Sequence, residues 1–149
     1  MSVRTSIIEF LQDAVDNAAP DSTLVGVEIE DTPASMFETN RGVIVMFPTF
    51  EMAPDRTQTL KEFDGFINLL CYARVTGADK EERSAAYDQA DELAKAVARL
   101  FFDDPTINGA VCDARIVRGE GGWDAEDGQP YQIIGLVLRY SEIGPVVFG

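Results

Sequence analysis

The sequence predicts an α+β fold, a mostly antiparallel β-sheet with two main helices packed against it and a long β-hairpin loop. Two segments carry apolar residues at three-and-four spacing, the signature of helices with one buried face. Between and after them run β-branched, apolar stretches with partial alternation, bounded by proline and glycine, which read as strands. At 149 residues the chain has the usual length of one domain, and a chain of 16.3 kDa buries roughly 68% of its unfolded surface. Residues 1–149 are therefore taken as one unit, with an extended apolar tail over 142–149.

The first helix is predicted over Val3 to Ala18, where Val3, Ile7, Phe10, Leu11, Ala14, Val15 and Ala18 form the apolar stripe. Pro20 stops it, because proline disfavours a helical conformation in the residue before it. Leu24 to Glu30 reads as a strand, and so does Gly42 to Phe47, ended by Pro48. Thr49 to Pro54 is expected to be a loop carrying two exposed hydrophobes, Phe50 and Met52. Arg56 to Val75 is expected to be one long strand, bent or bulged at Asp64-Gly65, since glycine inside a strand often marks a bulge.

The second helix opens at Asp79, with Glu82 three residues on completing a capping-box pattern. Its stripe runs through Ala86, Ala90, Leu93, Val97, Leu100 and Phe101, and Asp91 stands four residues before Lys95, a pair that supports a helix. Asp103-Asp104-Pro105 closes it. Ala110 to Val117 is expected as a strand with Ala110, Cys112, Ala114 and Ile116 on one face. Tyr131 to Tyr140 is expected as another, with Ile134, Leu136, Leu138 and Tyr140 together. The polar, glycine-rich stretch Arg118 to Pro130 becomes the tip of their hairpin. The predicted order is thus helix, about three strands, helix, two strands.

Charge narrows the function. Twelve Lys and Arg against 26 Asp and Glu give −14, with no histidine. Such a surface should repel nucleic acid, whose sequence-independent affinity for proteins comes from cations on phosphates. Cys71 and Cys112 both lie in apolar runs and are expected as core thiols, since a free cysteine behaves as a small hydrophobe. Met1 to Phe10 lacks the features of a signal peptide, and no apolar run reaches the length of a membrane span. A soluble protein made in a cytoplasm, without membrane contact, is expected.

Without histidine, Ser-His and Cys-His nucleophiles cannot be assembled. Gly119, Gly121 and Gly122 imitate a phosphate loop, but the acids that follow them would repel phosphate. Carboxylates cluster at Glu28-Glu30-Asp31 and at Glu120-Asp124-Glu126-Asp127. An acid–base pair would need a set separation across a cleft. Calcium suits oxygen ligands, yet the spacing departs from an EF-hand loop. No catalytic, metal-binding or cofactor-binding residue is assigned, and the chain is expected not to be an enzyme. Trp123 either folds over the domain's own edge or anchors a contact. With Phe50, Met52 and the apolar residues Ile143, Val146, Val147 and Phe148 also left over, a subunit interface is the favoured reading. Asp124, Glu126 and Asp127 of the hairpin tip join it.

The layout resembles the tail terminator proteins of tailed bacteriophages. The resemblance covers almost the whole chain and lies in element order: the first helix, the strand Val43-Ile44-Val45-Met46-Phe47, and the helix ending Leu100-Phe101-Phe102-Asp103-Asp104-Pro105. Ile107-Asn108-Gly109-Ala110-Val111, the glycine-rich loop and a final strand follow. It implies a homo-oligomeric, hexameric ring in the virion at the tail–neck junction. The ring would cap the tail tube protein, stop its polymerisation and meet a neck or head-completion protein. DNA would pass through the acidic lumen without specific binding. Another head–tail joining protein is the nearest alternative, and a small-molecule-binding α+β domain or a carboxylate enzyme are those of other classes.

Overall fold

The computed structural model describes residues 2–31, 40–52, 60–77, 79–124 and 131–145. Among them are two helices and six strands: α1 (Val3–Asp16), β1 (Glu28–Glu30), β2 (Arg41–Val45), β3 (Thr49–Met52), β4 (Leu60–Arg74), α2 (Lys80–Asp103), β5 (Asp113–Asp124) and β6 (Tyr131–Pro145). The sheet runs β1-β2-β4-β6-β5, with β3 pairing β4 off this path. Only β1 and β2 run parallel, and every other pair is antiparallel. The predicted α+β class is the observed one.

Both helices lie on one sheet face, as their stripes require. Ile7 and Leu11 of α1 and Ala86, Ala90, Leu93, Ala94, Val97 and Phe101 of α2 are buried. They pack on the alternate residues Val43 and Val45 of β2, Ile67, Leu69, Cys71 and Ala73 of β4, and Ile134, Leu136, Leu138 and Tyr140 of β6. Each fully buried Leu or Ile contributes about 1.5–3 kcal/mol relative to exposure. Phe10 and Phe101, with ring centroids 5.3 Å apart, join the two helices. Successive strand residues alternate between faces, so the other set, Ile44, Tyr72, Tyr131 and Ile133, forms a second, smaller cluster on the opposite face.

Helix ends are set by local chemistry. The Ser2 hydroxyl accepts a hydrogen bond from the Thr5 N–H at 3.1 Å, capping α1. Just inside that end, Arg4 donates from Nη2 to the Val45 carbonyl at 2.9 Å and from Nε to that of Met46 at 3.2 Å, tying α1 to β2. Asp79 is the N-cap of α2 by position, but its side chain makes no capping bond. The expected capping box does not form: the Glu82 carboxylate packs against Gly77, in the space a Cβ there would take.

Several expectations are corrected. Thr49 to Met52 is strand β3 rather than loop, paired with Phe63 to Phe66 of β4. Four strands, not three, therefore precede α2. In the stretch expected to begin the first strand, only Glu28–Glu30 is strand; the turn at Leu24–Gly26, where Gly26 has φ +74°, delays it. No bulge occurs at Asp64-Gly65, because β4 pairs β6 in unbroken register from Leu60 to Arg74. The bulges lie in β5 instead, at Ile116/Arg118 and Glu120/Trp123. There the predicted loop from Arg118 is strand as far as Asp124. Ala110 and Cys112 precede that strand and are exposed, so Cys112 is not a core thiol.

Candidate assembly surfaces

Of the residues expected at an interface, those whose backbone is described fall in two groups. Phe50 and Met52 lie in β3 opposite Gly65 and Phe63 of β4, and Ile143 lies in β6 opposite Glu62. Trp123 and Asp124 end β5 opposite Ile133 and Gln132. Along β6 the interval from Ile133 to Ile143 is ten residues, about 33 Å of strand. The backbone thus brings Phe50, Met52 and Ile143 to one end of the sheet and sets Trp123 and Asp124 at the other. Glu126, Asp127, Val146, Val147 and Phe148 lie outside the described residues.

A cavity of about 700 Å³ lies elsewhere, between the C-terminal half of α2 and β5, the edge strand among the described residues. Ala98, Phe101 and Phe102 line it from the helix, and Ala114 and Ile116 from the strand. Its charged rim is mostly cationic: Lys95, Arg99 and Arg115, with Asp113 as the one acid. Lys95 is held by Asp91 at 2.7 Å, and this partner raises its pKa. Arg99 meets Asp103 at 3.3 Å. Both pairs are exposed, and such pairs contribute little to stability. Phe102, 79% exposed, stands at the rim.

The sequence did signal this groove, in a form easily missed. Phe101 and Phe102 are adjacent in a helix, so they cannot share one face. Phe101 takes the core, and Phe102 is left outside.

A smaller cleft of about 350 Å³ lies on the sheet face opposite α1 and α2, lined by Met46, Asn68, Leu70, Arg118, Glu120, Gly135 and Val137. Arg118 and Glu120 form an ion pair there. The two acidic clusters have different surroundings. Glu28 and Asp31 are exposed and Glu30 is buried, whereas Glu120 lies on the cleft and Asp124 at the strand end. The described carboxylates therefore do not converge on one cleft. Of the thiols, Cys71 is fully buried, and burial pushes it up to about 12, while Cys112 is exposed.

Comparison with known proteins adds the fold. No family model matches the sequence, and no curated protein matches it. Among solved structures, a chain from the virion of a native gene transfer agent (GTA) particle is similar, with a TM-score of 0.61 and 14% identity. The match covers 96% of this chain and 96% of that one. The two chains share a fold over nearly their full lengths.

Proposed function

We propose that this protein is a structural subunit of a virion, acting as a tail terminator. It forms a hexameric ring that caps the tail tube, stops its polymerisation and joins the tail to the neck. The observation that carries the reading is the full-length likeness to a chain of a gene transfer agent virion, which agrees with the element order noted in the sequence. The protein works through contacts and not through catalysis. The −14 charge suits a lumen that DNA crosses without sticking.

Two features of the fold support assembly. Phe102, 79% exposed on the apolar groove, and Val117, 47% exposed in β5, offer apolar area for a contact. Among the described residues β5 is also an edge strand of the sheet, and an edge strand readily pairs with another chain. Light scattering with negative-stain imaging of the purified protein tests the reading: six-fold rings are expected. A compact dimer that binds a small molecule in the α2–β5 cavity would instead favour the pocket alternative. Six-fold rings that leave purified tail tubes uncapped would favour another head–tail joining role.

A further inference from the structure

The two lateral edges of the sheet differ in the charges they carry. At one edge α1 packs beside β1 and β2, and its outer surface carries the exposed acids Glu9, Asp13 and Asp16. Glu28 and Asp31, also exposed, extend the acidic surface along β1. At the other edge, α2 and β5 enclose the groove rimmed by Lys95, Arg99 and Arg115 with Asp113. Asp91 and Asp103 pair with Lys95 and Arg99, which leaves Arg115 as the rim cation without a salt bridge among the described residues. The large exposed hydrophobes among the described residues divide the same way. Val25 and Phe47 flank β1 and β2, while Phe102 lines the groove, Val117 follows its last strand residue in β5, and Tyr87 lies farther along α2.

Strand direction and length also agree. With β1 and β2 parallel and the remaining neighbours antiparallel, β5 runs opposite to β1. A second copy placed beside the first in the same orientation would therefore set its β1 antiparallel to β5. The regular part of β5 before its first bulge is Asp113 to Ile116, long enough for a three-residue β1. Those four residues also line the groove. Antiparallel pairing would place Glu28 to Asp31 near Arg115, and opposite charges across a strand pair are favourable.

We infer that the α2–β5 groove is the docking site for the α1–β1 edge of a second copy of this chain, in a head-to-tail contact that continues the sheet. Such a heterologous contact leaves the pair with one free edge of each kind and closes into a ring when the rotation allows. This inference rests on the ring proposed above and names its subunit contact. Main-chain hydrogen bonds would give the contact strength, as in other strand additions. The acidic α1 face would fill the overhang of α2.

Charge reversal tests it. Light scattering is measured on Lys95→Glu/Arg99→Glu, on Glu9→Lys/Asp13→Lys, and on a chain carrying all four changes, with circular dichroism checking each fold. Each pair alone should weaken assembly about tenfold or more. The fourfold variant, and a mixture of the two double variants, should recover it. Rings indifferent to both reversals would overturn this contact while leaving the ring itself standing. Loss in both without recovery would overturn the pairing of these two edges. A second readout uses a Cys112→Ser chain bearing Val25→Cys and Val117→Cys. Oxidation should give a ladder of cross-linked copies, and monomer bands alone would overturn the contact.

Discussion

The ring of Tyr140 lies over the backbone of Gly65, its cross-strand partner in the β4–β6 pair. A Cβ at Gly65 would fall inside that ring. The glycine thus makes room for an aromatic residue that closes one end of the main core. Gly65→Ala forces Tyr140 or the strand to move, and overpacking of this kind costs about 1–3 kcal/mol. Urea denaturation should show the loss, and an unchanged midpoint would mean that the ring swings aside freely.

The turn after α2 is held by one carboxylate. Asp104 accepts from the Asn108 N–H at 3.0 Å, the Thr106 hydroxyl at 2.8 Å and the Thr106 N–H at 3.2 Å. These bonds, that from Asn108 first, hold its pKa below the ordinary 3.8. A carboxyl depressed in the folded state stabilises above its unfolded pKa, and that stability is lost as pH falls through the folded value. Asp104→Ala should therefore be less stable than the parent at pH 7. The gap should narrow below about pH 4, as the parent's carboxylate takes up its proton. A gap independent of pH down to 2 would contradict this role.

Ile107 sits in the same turn with φ 51°, yet its side chain is 1% exposed. A left-handed conformation costs a residue with a Cβ roughly 1–2 kcal/mol, so burial outweighs strain here. Ile107→Ala keeps the strain and loses the packing, and a loss of about 2–5 kcal/mol is expected in chemical denaturation. Ile107→Gly relieves the strain and should be no less stable than Ile107→Ala. The reverse order would show that the turn is not strained.

The thiols provide a check of the core. Cys71 is buried with its pKa pushed up to about 12, whereas Cys112 is exposed. At pH 8 a thiol reagent should modify one cysteine per native chain, and Cys112→Ser should abolish that reaction. Two should react in denaturant. Rapid modification of both in the native protein would contradict the burial of Cys71.

At the hairpin end, Trp123→Ala should weaken assembly while leaving the thermal midpoint of the isolated subunit within a few degrees. The same holds for removal of 146–149 at the C-terminal end. Normal assembly by both variants would exclude these two regions from the interface.

Much of this fold was legible because its helices bury a single stripe. The apolar spacing of α2 marks its buried residues from Ala86 to Phe101, and Ile134 to Tyr140 marks one face of β6. The sequence hid what depends on neighbours. Strand β3 is four residues long and follows Pro48, too short to show a period. β5 looked like a loop because of its glycines, of which Gly121 answers to a close neighbour while Gly119 has ordinary contact room. A Cβ at Gly121 would stand 2.8 Å from the Tyr87 hydroxyl, and one at Gly119 would stand 3.4 Å from Leu136. Cys112 lies in an apolar run that turns outward just before β5 begins. The candidate surface was the least legible part. Phe102 and the arginines of β5 acquire meaning only when α2 is seen overhanging an edge strand, a relationship between residues distant in sequence.

The ring proposed for this subunit is closed and six-fold. Native mass spectrometry of the purified protein, with negative-stain class averages from the same sample, tests it most directly. A species of six times the 16.3 kDa chain and averages with six-fold symmetry are expected. A monomer at every concentration, or a two-fold dimer, would contradict it.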